Sequence, residues 1–136
     1  MAKLEDFTIS SDALANGEWL SPGEEFDDFE IKLRPFDDAY QTARMAKMRR
    51  AAVAYSGDVG RIPADKARDI VVDCLEKHTL LDIRNLSHAS GVAVTLAEFI
   101  DLIRTERGSQ FFSAVVSCAA RAGQSKVEAE KEAAGN

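Results

Sequence analysis

The most reactive side chains in the sequence belong to two cysteines and two histidines: Cys74, His78, His88 and Cys118. Cys74 and His78 are four residues apart in an apolar helical pattern, so their side chains are predicted to lie one above the other. A structural zinc site needs four ligands, and completing one with His88 and Cys118 would require spacings that match no common zinc module. The pattern favours a buried thiol, a histidine at a helix end and a solvated His88 in a polar turn.

Other catalytic signatures are incomplete. Cys74 lacks any sequence sign of a loop that could stabilise an oxyanion. The acidic pair Asp37-Asp38 stands where helix caps favour negative charge. The glycine segment 57–61 lacks the lysine and the Ser/Thr of a phosphate-binding loop, and it is predicted to be a turn between helices. We therefore expect no catalytic residue, no metal and no cofactor, and predict that the chain is not an enzyme.

Length and composition predict a single domain. The chain has 136 residues, of which 46% are apolar, and this suits one compact unit with a single core. Residues 1–123 are predicted to form that unit. Residues 124–136 contain one large apolar side chain, Val127, and are predicted to be a polar, flexible C-terminal tail. The sequence shows neither a membrane-spanning run nor a secretion signal, so a cytoplasmic location is expected.

The apolar pattern predicts an α+β fold that is mostly helical, with a strand-rich part in residues 1–36 and about four helices in residues 37–123. Alternating Phe29, Ile31 and Leu33 indicate a strand with one buried face. A second strand around Trp19 is predicted to complete a small N-terminal β-hairpin or sheet, joined through a tight Pro-Gly turn.

Two further extended segments are predicted. Residues 4–9 are expected to add an edge strand to the N-terminal sheet. Residues 80–86 are expected to pass across the core, with Leu81, Ile83 and Asn85 alternating toward it.

Capping residues mark the starts of several predicted helices. Asp37 or Asp38 is placed to cap the first long helix. Thr95 and Glu98 form a capping box, in which each side chain satisfies an unpaired backbone N–H of the first turn. Ser109 is placed to cap a last helix, whose apolar residues at helical spacing include Phe111, Phe112, Val115 and Val116.

Charge is distributed unevenly along the chain. Residues 1–30 carry a net charge of −8, whereas residues 31–50 carry +4. Arg44, Lys47 and Arg50 are three apart on the first long helix, so they form a basic strip. The simpler explanation is that the acidic N-terminal third packs on this strip, and the alternative is a docking surface for an acidic partner. Nucleic acid is disfavoured because the whole chain has a net charge of −6.

The order of the predicted elements along most of the chain is characteristic. An extended segment leads directly into a helix in residues 17–36, and a strand-like segment, a glycine turn and a capped helix follow in residues 80–99. The closing helix carries Phe111 and Phe112. This order of residue types resembles the tail assembly chaperones of long-tailed bacteriophages.

The resemblance implies a helper protein, absent from the mature virion, that acts by binding other proteins in the host cytoplasm. It would bind the tape-measure protein, keep that long apolar helix soluble and help to recruit tail-tube subunits, and it leaves homo-oligomer formation open. An apolar docking face would suit this task. The candidate partner-binding residues are Phe111, Phe112, Val115 and Val116, together with the basic strip Arg44, Lys47 and Arg50.

Two other functions remain compatible with the sequence. A structural virion protein of the head–tail connector or tail terminator type would also be small, acidic and mixed α/β, and it would form a ring. A small regulatory DNA-binding module would use the basic strip together with Arg49, and its binding to duplex would depend steeply on salt.

Overall fold

The computed structural model describes residues 1–124, and the predicted C-terminal tail beyond Gln124 lies outside the described residues. The described chain confirms the predicted α+β, mostly helical class, because five α-helices accompany a three-stranded antiparallel sheet. The helices are α1 (Ser11–Asn16), α2 (Asp38–Ala52), α3 (Ala64–His78), α4 (Leu96–Ile103) and α5 (Ser109–Arg121). The strands are β1 (Glu18–Leu20), β2 (Glu30–Leu33) and β3 (Leu80–Arg84).

The sheet has the order β1-β2-β3, and both pairings are antiparallel. Trp19 stands opposite Lys32, so the predicted hairpin between the first two strands is confirmed. Ile31 and Leu33 of the central strand are fully buried, as their alternation with charged residues predicts.

The predictions for the chain around this hairpin are wrong in two places. The connection is not a tight type II turn. Gly23 has a positive φ (141°), but its ψ of 164° is far from the value near 0° that such a turn requires, and a 3₁₀ turn, Glu24–Phe26, follows it. The predicted edge strand in residues 4–9 is instead a 3₁₀ turn at Leu4–Phe7. The chain just after α5 contacts β1, since the backbone N–H of Gly123 donates to the Glu18 carboxylate over 2.6 Å.

The predicted extended pass across the core is confirmed as β3, but the residues that it buries differ from the predicted set. Leu80 and Ile83 are the buried ones. The register against β2 shifts between Lys32 and Leu33, and such an irregularity breaks the simple alternation of faces. Asn85 lies just beyond the strand in a left-handed conformation (φ 64°).

The helix starts are set by local capping. Asp37 Oδ1 accepts from the backbone N–H of Tyr40 over 2.8 Å at the start of α2, and both bonds of the predicted Thr95/Glu98 capping box are present at α4. The predicted cap of α5 is wrong. Ser109 already has helical dihedral angles and makes no capping bond, because a 3₁₀ turn (Glu106–Gly108) runs directly into the helix.

The basic strip meets a different element from the one predicted. The ammonium of Lys47 lies 4.0 Å from the carboxylate of Asp73 on α3, and α2 packs along α3. Within residues 1–124, no ion pair joins an acid of the N-terminal third to the basic strip. Part of that third contacts α5, where Arg121 donates to the backbone oxygen of Ser21 over 3.0 Å. The expected packing of acidic N-terminal residues on the basic strip is therefore incorrect.

Candidate protein-binding groove

An open groove of about 650 Å³ runs between the loop that joins β1 to β2 and the exposed side of α5. The loop contributes Phe26 and Phe29, α5 contributes Phe111 and Ala114, and Leu86 also lines it. We call these apolar side chains the floor of the groove.

A cluster of four phenylalanines forms and supports this floor. The ring of Phe111 lies 5.6 Å from that of Phe26 and 5.5 Å from that of Phe29, measured between centroids. Phe99 of α4 lies beneath them, 5.4 Å from Phe111 and nearly perpendicular to it (72°). Phe29 and Phe99 are fully buried, while Phe26 and Phe111 are half-buried. Phe111 packs edge-to-face on Phe29 and Phe99, whereas Phe26 packs against Phe29 and Phe111 at tilted angles of 51° and 45°. Ring contacts of this kind stabilise the arrangement of the two accessible rings.

The wall of the groove on α5 is built from small side chains. Ser113, Ala114 and Ser117 line it, and both serines are exposed. Because these side chains project little, the rings below them stay accessible from solvent, and the backbone of a bound segment could approach α5 closely.

The opposite side of the groove carries four carboxylates within five residues: Glu24, Glu25, Asp27 and Asp28. We call these four residues the acidic lip. All four are exposed, and Glu25 and Asp27 line the groove itself. Within residues 1–124 none of them takes part in an ion pair. The groove therefore combines an apolar floor with one strongly negative edge.

Asp27 holds a strained backbone conformation at the centre of this lip. Its φ is 55° and its ψ is −126°, and the N–H of Phe29 donates to the backbone oxygen of Phe26 over 3.1 Å. This is the first central position of a type II′ turn, which glycine strongly favours. A non-glycine residue held there costs about 1–3 kcal/mol, so the carboxylate at position 27 is present despite its effect on stability.

Replacing Asp27 with glycine should raise the free energy of unfolding by about 1 kcal/mol, because the relief of strain exceeds the entropy that glycine adds to the unfolded chain. Urea denaturation followed by circular dichroism would measure the change. Asp28→Gly is the matched control: Asp28 has no positive φ, so glycine there should lower stability by about 0.5–1 kcal/mol. Equal effects at the two positions would contradict the assignment of strain to Asp27.

The predicted apolar docking residues divide between the groove and the core. Phe111 lines the groove. Val115 is 0% exposed and belongs to the core, so the expectation that it contacts a partner is incorrect. Phe112 and Val116 are half-buried and lie outside the groove lining. The structure therefore brings one of the four predicted residues to this site.

The basic strip lies away from the groove, on α2. Lys47 lines a separate pocket of about 500 Å³ together with Cys74 and His78. Arg44 is half-buried and Arg50 exposed. The structure thus does not combine the basic strip and the phenylalanine pair into one surface.

The two cysteines are buried in the described part of the chain. Cys74 and Cys118 are both free and buried, as their apolar surroundings predict. Burial raises the pKa of both thiols, which keeps them protonated and weakly nucleophilic. Residues 1–124 contain no group of three or more side chains that could hold a metal ion.

His88 is not simply solvated, contrary to the prediction from its polar surroundings. Its Nε2 lies 2.7 Å from the carboxylate of Glu98, the same residue that completes the capping box of α4. The pKa of Glu98 is lowered first by the hydrogen bond from the Thr95 backbone and then by that from His88. The pair ties the loop before α4 to the start of that helix.

Phe26 and the acidic lip are among the residues at the groove that sequence analysis does not single out. The available signal is the segment Glu24-Glu25-Phe26-Asp27-Asp28-Phe29, in which two phenylalanines interrupt a run of acids. Its acids contribute to the N-terminal negative charge, but the pairing of its aromatic rings with Phe111 depends on the tertiary fold.

Comparison with known proteins adds no relative to this description. No protein-family model, no curated protein and no solved structure matches the chain. None of the helices in residues 1–124 has the length and apolar character needed to cross a membrane. The groove is therefore the structural feature on which a functional proposal rests.

Proposed function

We propose that this protein is a non-catalytic tail assembly chaperone that binds a helix of the tape-measure protein in its groove and helps to recruit tail-tube subunits. The accessible Phe26–Phe111 pair at the base of an open groove is the observation that supports binding. The resemblance in the order of sequence elements supports the identity of the partner. A protein with this function would work in the host cytoplasm during assembly.

The open groove and its accessible phenylalanine pair support the binding of a helix. A helix in a groove is held by a few large side chains at i, i+3, i+4 and i+7 on one face. Burying one such side chain against the phenylalanine floor contributes about 1.5–3 kcal/mol. Two or three anchors would hold an apolar helix out of water and still allow its release during assembly.

Co-expression with the long helical protein encoded immediately downstream tests this function. Affinity capture followed by light scattering should recover a soluble complex containing several copies of this chain, while the partner expressed alone is insoluble. A closed ring of this chain by itself, with no partner recovered, would instead indicate a structural virion component.

A matched pair of variants connects that result to the groove. Ser117→Trp places an indole into the groove from an exposed position on its wall, and it should reduce the amount of captured partner at least ten-fold. Ser90→Trp adds the same side chain at an exposed loop position outside the groove lining and should leave capture unchanged. Equal capture by the two variants would show that the partner binds elsewhere.

A further inference from the structure

We infer that the groove selects a basic amphipathic helix, one whose apolar face is flanked on one side by lysine or arginine. This inference rests on the proposed function, because it names the chemistry of the helix that the groove receives. Two features of the groove support this inference: the acidic lip and the apolar floor.

The negative charge of the groove lies on one side only. Glu25 and Asp27 line it from the loop, whereas Gln110, Ser113 and Ser117 line it from α5 and are uncharged. A bound helix would therefore meet carboxylates along one flank and neutral polar groups along the other. Cationic residues on a single flank of the partner would match this arrangement and would fix the rotation of the helix about its own axis.

Among residues 1–124, the acidic lip differs from other acidic groups on the surface because no lysine or arginine pairs with it. Glu30 pairs with Arg84 at 2.7 Å, and Arg104 lies between three acids of α3: Asp69, Asp73 and Glu76. Within residues 1–124 the four carboxylates of the lip make no such pair. Like charges held this closely repel one another, and a partner that brings lysine or arginine relieves that repulsion.

The conformation of Asp27 is consistent with a role for charge at this position. A turn position that favours glycine is occupied by Asp27, and this residue lines the groove. Strained positions of this kind persist where a side chain serves binding.

The probes are two designed helical peptides of 18 residues each, with the same apolar face of leucine and phenylalanine. The lysine peptide has lysines along one flank of that face, and the glutamate peptide has glutamates at the same positions. The fluorescently labelled peptides are titrated with the full 136-residue protein by fluorescence anisotropy. At 50 mM NaCl the lysine peptide should bind at least ten-fold more tightly than the glutamate peptide. At 500 mM NaCl this preference should fall below about three-fold, since salt screens exposed charges.

Variants then assign the preference to the acidic lip. Glu25→Gln combined with Asp27→Asn removes two charges while keeping a residue that tolerates positive φ at position 27, and it should reduce the preference to about two-fold. Asp101→Asn combined with Glu106→Gln removes the same charge from exposed positions outside the groove lining and should leave the preference unchanged.

The Ser117→Trp variant separates failure of this inference from failure of the proposed function. If the wild-type protein binds both peptides equally and Ser117→Trp abolishes both, the groove binds helices without selecting charge, and the inference is overturned alone. If the lysine peptide binds Ser117→Trp as tightly as wild type, the attraction is general electrostatics outside the groove, and the inference is again overturned. Binding of neither peptide would overturn both the inference and the helix-binding groove.

Discussion

Replacing Phe99 with alanine is expected to lower the free energy of unfolding by about 3–5 kcal/mol, because a large side chain is removed from a closely packed site. Phe99 is 0% exposed, and its ring lies 5.7 Å from that of Phe29 and 5.4 Å from that of Phe111. The cavity would open directly beneath the groove floor. Urea denaturation followed by the fluorescence of Trp19 would measure the loss.

Phe7→Ala is the matched control for this substitution. Phe7 is 71% exposed, so the same change should alter stability by less than about 0.5 kcal/mol. The phenylalanine cluster also predicts a binding effect: at a temperature where Phe99→Ala remains folded, the lysine-flanked peptide should bind more weakly. A Phe99→Ala protein as stable as Phe7→Ala would mean that the cluster does not hold the core together.

The parts of the fold that follow from sequence are those with local causes. Asp37 and the Thr95/Glu98 pair mark helix starts because capping involves residues within one turn of each other. The strand at residues 30–33 follows from alternation, since a strand with one buried face requires it. These signals do not depend on where distant segments finally pack.

The groove could not be predicted in the same way, because its members come from separate elements. Phe26 and Phe111 meet only after the loop before β2 folds onto α5. The apolar stripe of α5 is also wide, so the pattern alone does not decide which side is buried. The core accepts Ala114, Val115 and Cys118 and leaves Phe111 half-accessible. The small residues of α5 mark its buried side, but small residues by themselves are weak signals of burial.

The uneven distribution of charge along the sequence does not predict which segments pack together. Opposite charges in neighbouring segments suggest a contact between them, yet exposed ion pairs contribute only about 0–1 kcal/mol each. Burial of apolar area decides how α2 packs, and it places Lys47 beside Asp73 of α3. The acidic lip, in contrast, has no ion-pair partner within residues 1–124. Its unpaired negative charge makes the binding of an external basic partner favourable.

Gly108→Ala is expected to lower the free energy of unfolding by about 3 kcal/mol, at the upper end of the usual cost of overpacking. Gly108 is buried at the junction of α4 and α5. A Cβ atom there would lie 2.7 Å from the carbonyl carbon of Leu102 and still closer to its oxygen. Both are backbone atoms, so a side-chain rotation cannot relieve the contact and the junction itself must open. Thermal and urea unfolding would measure the loss.

Gly60→Ala provides the control, because Gly60 is exposed and the nearest atom to an added Cβ, 3.3 Å away, belongs to the Asp58 side chain. That variant should change stability by less than about 0.5 kcal/mol. Phe111 lies in the first turn after the junction, so opening it would also displace the groove floor relative to Phe26. Gly108→Ala should therefore weaken binding of the lysine-flanked peptide even where the protein stays folded, whereas unchanged binding would show that α5 holds the groove independently of its connection to α4.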